Sequence, residues 1–313
     1  GGGARRAARS GARAGGQRRE ASRSAQLPAR LLPYLLVLPA VTILSVFYLY
    51  PIVYNIYLSF FSWNMRGAMR FVGLANYAEL LASADFLHTL ANSLLYMVMD
   101  VGLVILLALP LALFLSRNTF MNRLIQLLSF TPNIISLVSV SLIWMWLMNI
   151  DTGLFNYVLS LVGAGPVGWL TDKDVALFAL VLVSVWKSLG FNALILCSAL
   201  ASIPGHLYEA AALDHASRRS VFFRITLPMI SPTLFFLVLM NIIGSFQVFE
   251  TINIMTQGGP SNATNTLIFS IYKQGFEYYR VGYAAAIAVV LMALVGLITF
   301  FYFQALSRRV HYR

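Results

Sequence analysis

Residues 91–115 read ANSLLYMVMDVGLVILLALPLALFL, twenty-five positions with one charge, Asp100. A helix of about 20 apolar residues is enough to cross a hydrocarbon core of about 30 Å. The apolar positions here are continuous, so the stretch reads as a spanning helix and not as a barrel strand, whose apolar positions alternate. Five further stretches share this character: 31–58, 124–148, 175–200, 229–255 and 281–305. The expected fold is an all-α membrane protein of six transmembrane helices. Pro51, Pro110 and Pro132 fall inside or near these spans, where a bilayer tolerates prolines as kinks.

Composition agrees. Of 313 residues, 59% are apolar and 11% charged, with a mean hydropathy of +0.76. A soluble domain carries about 25% charged residues, so an ordinary water-soluble enzyme is excluded. The net charge of +11 is uneven, because residues 1–30 hold eight Arg and one acid, Glu20. That basic segment has almost no large apolar residue and is expected to be a disordered arm; it gives no reason to expect nucleic-acid binding. The organisation is therefore an Arg-rich arm over 1–30 and a membrane domain over 31–313. One cysteine, Cys197, and four histidines without ligand spacing argue against a metal site.

Counting Lys and Arg outside the spans sets the orientation. The arm, the 116–123 loop, the 201–228 loop and the tail hold sixteen, and the opposite side holds five. The excess places both termini in the cytoplasm. Trp63 and Trp169 fall near the outer boundaries, where amphipathic rings favour the headgroup layer.

The longest loop on the basic side, 201–228, reads ASIPGHLYEAAALDHASRRSVFFRITLP. Glu209 to Leu213 favour helix. Ser217 is placed to cap a second short helix whose apolar face is Val221, Phe222 and Ile225. Pro228 is expected to stop or redirect the chain before the fifth span. Such a helical loop either docks on a partner or lies on lipid headgroups, and the pattern alone leaves both open.

The spans also carry polar groups, which are costly in a membrane and tend to mark pathways or paired sites. They are Asp100, Lys187 and Glu250, with the amides Asn192, Asn241, Gln247 and Asn253. Read as one helix, the fifth span places Gln247 and Glu250 on a shared face, with Asn241 broadly toward it. Amides and carboxylates suit sugar hydroxyls. Lys187 and Asp100 read equally as members of a structural ion pair.

Glu209-Ala210-Ala211, His215 four residues on, and Ile225-x-Leu227-Pro228 after nine more resemble the E-A-A loop of binding-protein-dependent ABC importer permeases. The family has Gly where this chain has His215. That Gly permits the turn between two short helices, and His enters positive φ less readily. Other stretches resemble the carbohydrate-uptake branch, the MalF-like or UgpA-like subunits: Phe71-Val72-Gly73-Leu74-Ala75-Asn76-Tyr77, Gly153-Leu154-Phe155-Asn156, Trp169 to Asp172, Val185-Trp186-Lys187 with Gly190-Phe191-Asn192, and Gly258-Gly259-Pro260 with Thr264 and Thr266.

The resemblance implies a type I ABC importer permease for a sugar or oligosaccharide in a bacterial cell membrane. Its partners would be a second homologous permease, an ABC ATPase dimer, an extracytoplasmic solute-binding protein and membrane lipid, with no nucleic acid. It implies that Glu209, Ala210, Ala211, Asp214, His215, Ala216, Arg218, Leu227 and Pro228 couple to the ATPase. The fifth span would form part of the path, and Lys187, Asn192, Asn241, Gln247, Glu250 and Asn253 are the pathway candidates. ATP and magnesium would be bound by the ATPase. None of Lys173, Lys187 and Lys273 follows a glycine, as a phosphate-binding P-loop requires. No catalytic residue or metal is expected. Glycerol 3-phosphate is the alternative solute, although a phosphodianion calls for converging cations and only Lys187 lies within a span. A membrane-bound enzyme is the rival outside transport, but no His–acid constellation supports it.

Overall fold

The structure is a computed structural model and describes residues 32–117 and 119–306. The expected arm and the tail arginines lie outside the described residues. By their internal contacts, residues up to Asn55 and residues from Ile56 onward form two units.

The first span is one apolar helical stretch, Pro33–Leu58. It comprises α1 (Leu32–Leu44) and α2 (Tyr50–Leu58), joined by a π-helical turn at Ser45–Leu49. The turn has a local cause. Pro51 lacks the N–H that would bond the carbonyl four residues back, at Phe47, and its ring crowds that carbonyl. Widening the turn relieves the crowding.

From Ile56 onward, a two-residue antiparallel pair, β1 (Phe61–Ser62) and β2 (Arg70–Phe71), leads into α3 (Ala75–Ala82). The second span, α4 (Ala84–Leu115), starts seven residues earlier than the apolar run suggests. Ser83 caps it by accepting from the Phe86 N–H, and Asp85 sits in the first turn, where a negative charge suits the helix dipole. Its buried stripe is Asn92, Tyr96, Asp100, Val104, Ala108 and Ala112, one residue every fourth position. Small residues along the second half of that stripe let the neighbouring span approach closely.

The third span departs from expectation. It is not one helix over 124–148 but two, α5 (Phe120–Ile134) and α6 (Leu137–Leu147), bent by 100° at their junction. After the short α7 (Leu154–Leu161), the fourth span α8 (Ala176–Ala201) packs along both α4 and α5. Gly190 of α8 permits the second contact, because a Cβ there would collide with the Ser129 backbone carbonyl of α5.

Beyond α8 come α9 (Gly205–Leu213) and α10 (Arg218–Val221). A second π turn, Phe222–Thr226, runs into α11 (Leu227–Ser245). Contrary to expectation, Pro228 does not stop the chain: the fifth span is helical over Arg218–Ser245. Pro228 sits in the first turn of α11, and the carbonyl it leaves unbonded, Arg224, lies inside the π turn, as with Pro51. The same span ends at Ser245, ten residues short of the expected edge, and α12 (Glu250–Met255) is a separate short helix. It is followed by α13 (Leu267–Tyr272) and the last span, α14 (Val281–Leu306). The described residues thus hold five helices long and apolar enough to cross a membrane, and six spans if the bent pair is one.

Candidate functional site

Two regions carry the residues singled out by sequence. The first is the segment between the fourth and fifth spans. Here α9 ends in a Schellman turn: His215 N–H bonds the Ala212 carbonyl at 3.1 Å and Ala216 N–H bonds the Ala211 carbonyl at 2.9 Å. This turn requires a left-handed residue after the cap, and His215 takes it at φ 49°. Histidine therefore adopts the glycine-like geometry, at a cost of about 1 kcal/mol relative to glycine. Ser217 then caps α10, its hydroxyl accepting from the Ser220 N–H at 3.2 Å. The Tyr208 and Thr226 hydroxyls lie 3.2 Å apart and brace α9 against the π turn.

These local bonds hold a shape that presents itself outward. Glu209, Ala210, Asp214, His215, Ala216 and Arg218 are all exposed, whereas Ala211 is buried. Leu213 is 83% exposed, an unusual position for a leucine, left uncovered among the described residues. Leu227 and Pro228 are half-buried at the start of the fifth span.

The second region gathers the intramembrane polar groups, and the structure splits them. Asn192 on α8 and Asn241 on α11 form an amide pair, with Asn241 Nδ2 donating to Asn192 Oδ1 at 2.7 Å. Each also bonds a carbonyl of its own helix, Ser188 and Leu237 respectively. The pair joins the fourth span to the fifth. Gln247 and Glu250 do not share a face of one helix. Gln247 lies in the turn after α11, where its N–H bonds the Gly244 carbonyl at 3.0 Å. Glu250 opens α12. Both are exposed, and Asn253 is half-buried. Glycine and serine at the end of α11 are weak helix formers, and the break follows them directly.

Lys187 makes no ion pair with Asp100. Its ammonium donates to the backbone carbonyls of Pro132, Asn133 and Ile135 at 3.1, 3.1 and 2.7 Å. These are carbonyls at the C-terminus of α5, which lack partners within their own helix. A hydrogen bond to a charged group contributes about 1.5–3 kcal/mol, so three together offset the cost of about 2.5–3.5 kcal/mol for a lysine near the centre of a spanning helix. Asp100 is buried, and its Oδ1 has no hydrogen-bond partner among the described residues.

Two asparagines that sequence reasoning quoted only within motifs prove to be staples. Asn76 donates to the carbonyls of Ser59 and Phe61 at 2.8 and 3.0 Å. Asn156 donates to Ile150 and Val167 carbonyls and accepts from the Val167 N–H and the Trp169 indole, all at 3.0–3.1 Å. The signal was an amide repeating beside glycine in a loop between spans, where backbone groups need partners.

A family model described as "Binding-protein-dependent transport system inner membrane component" matches residues 88–312. The sn-glycerol-3-phosphate transport system permease protein UgpA of Pectobacterium atrosepticum is 35% identical over 90% of this chain and 96% of its own length. The probable ABC transporter permease protein YurN of Bacillus subtilis is 34% identical over 85% and 92%. Among solved structures, a chain of the bacterial alginate ABC transporter, in complex with alginate pentasaccharide-bound periplasmic protein, superposes with a TM-score of 0.77 at 25% identity, covering 89% and 94%. The chain belongs to the family of binding-protein-dependent transport system inner membrane components. Its fold is that of a type I ABC importer permease, embedded in the membrane by several spans. It is a transport component and not an enzyme.

Proposed function

We propose that the chain forms half of the membrane pathway of an ATP-driven importer for a neutral sugar or oligosaccharide. The observation that carries the coupling part is the capped, outward-facing segment from Gly205 to Ser217, with Leu213 uncovered. A separate ATPase dimer, binding ATP and magnesium, receives this segment from the cytoplasm. The excess of Lys and Arg in the same loop and in both termini supports that side. A second, related permease chain completes the pathway, and lipid surrounds both. A binding protein delivers solute to the opposite face, at the cell membrane of a bacterium, and the path alternates its opening by rigid-body motion.

Gln247, Glu250 and Asn253 are the proposed solute contacts, together with the Asn192–Asn241 pair. A neutral solute is supported by Lys187, an intramembrane cation whose three donors already have carbonyl partners. Glycerol 3-phosphate is the second reading, favoured by the relatives named for its transport.

The test is reconstitution in liposomes of this chain alone and of the complete complex with its binding protein. Uptake of ¹⁴C-labelled sucrose, maltose and glycerol 3-phosphate is then measured with ATP inside. Uptake of a sugar by the complex and none by the lone chain is expected. Movement of solute by the lone chain contradicts the reading, and uptake of glycerol 3-phosphate but neither sugar selects the alternative.

A further inference from the structure

The break in the third span is held from a distance. Pro132 lies near the end of α5, and prolines are tolerated within spans when other groups satisfy the backbone they disturb. Here those groups belong to another helix. Lys187 of α8 reaches the carbonyls of Pro132, Asn133 and Ile135, and an ammonium has three donors, so all are used. One turn further along α8, Gly190 brings the two backbones together at Ser129. Ser136, the residue before α6, makes no side-chain cap bond, so α6 has no cap of that kind to fix its direction.

The helix beyond the break bears on transport. α6 packs against α12, and Val140 of α6 and Ile252 of α12 belong to one buried cluster. α12 carries Glu250 and Asn253. Straightening the third span would strip the ammonium of its partners within the membrane and withdraw α6 from the helix that bears the proposed solute contacts.

We propose that Lys187 is a positioning residue for translocation: its ammonium caps α5, fixes the 100° bend, and through α6 sets the place of α12. The inference rests on the pathway reading of Glu250 and Asn253 for its functional consequence. The cap itself does not depend on that reading.

The experiment uses the complete transporter in nanodiscs, in a Cys197→Ala background, with spin labels on two pairs of sites. Leu127–Leu142 reads the bend, and Leu127–Ile254 reads the position of α12. Lys187→Met is expected to lengthen and broaden both distance distributions beyond the wild-type width and to abolish uptake. Lys187→Arg, which keeps charged donors, is expected to restore both distributions and most of the uptake. Where Lys187→Met yields no protein, Lys187→Gln is expected to broaden both distributions partly. Unchanged distances in Lys187→Met or Lys187→Gln overturn the proposal, as does a changed bend with an unmoved Ile254. If the distances respond as expected while Glu250→Gln and Asn253→Ala transport normally, the cap stands and the pathway reading fails.

Discussion

The two ends of the fifth span are built in opposite ways. At the end beyond Ser245, residues 256–267 are fastened to the chain's own second span. Asn92 donates to the carbonyls of Asn262 and Asn265, Ser93 accepts from the Leu267 N–H, and Asn265 donates to the Thr89 hydroxyl. Inside this loop Thr264 is 0% exposed, bonded to Thr256 and to the Gly259 carbonyl at 2.7 Å each. At the other end, the Gly205–Ser217 segment keeps its shape by local means, through the His215 turn, the Ser217 cap and the Tyr208–Thr226 contact. The first loop finds most of its polar partners in its own protein, leaving Asn265 Oδ1 and Thr266 Oγ1 buried without a hydrogen bond. The second has a fixed form and an exposed surface, which is what a handle for another subunit requires.

This contrast predicts that substitutions beyond Ser245 act on stability, and those between Gly205 and Ser217 act on assembly. Thr264→Val keeps the shape and removes both hydroxyl bonds from a buried site. It should cost about 2–3 kcal/mol, read as a lowered midpoint of thermal unfolding in detergent. His215→Val forces a β-branched residue into positive φ and should loosen the turn by about 1–2 kcal/mol. His215→Gly should tighten it by up to about 1 kcal/mol, and hydrogen exchange of the Ala216 amide distinguishes the two. Leu213→Ser should change stability by no more than about 0.5 kcal/mol while weakening the association with the ATPase measured by co-purification. A large loss of stability for Leu213→Ser would mean that the segment packs on its own chain, and the contrast would dissolve.

Most of the architecture was legible in run length, because a bilayer demands long apolar helices and little else imitates them. The E-A-A loop was legible in spacing, and even the unusual His215 pointed to the left-handed turn found there. Ser217 was legible as a cap. The rest depended on distant partners. Pro132 was visible, but the bend after it is held by Lys187, more than fifty residues away. A lysine in a span suggested an acid for company, since carbonyls freed by a broken helix leave no mark of their own in sequence. Gln247 and Glu250 were assigned one face because the helix was read through Gly244 and Ser245, where it in fact ends. The early start of α4 was missed although Ser83 and Asp85 form an ordinary helix beginning.

The most direct test of the handle is charge reversal at its exposed acid. Glu209→Lys, expressed with the other subunits, should retain the wild-type unfolding midpoint, fail to co-purify with the ATPase, and abolish ATP-driven uptake. A complex that assembles and transports like wild type despite that reversal would contradict the account.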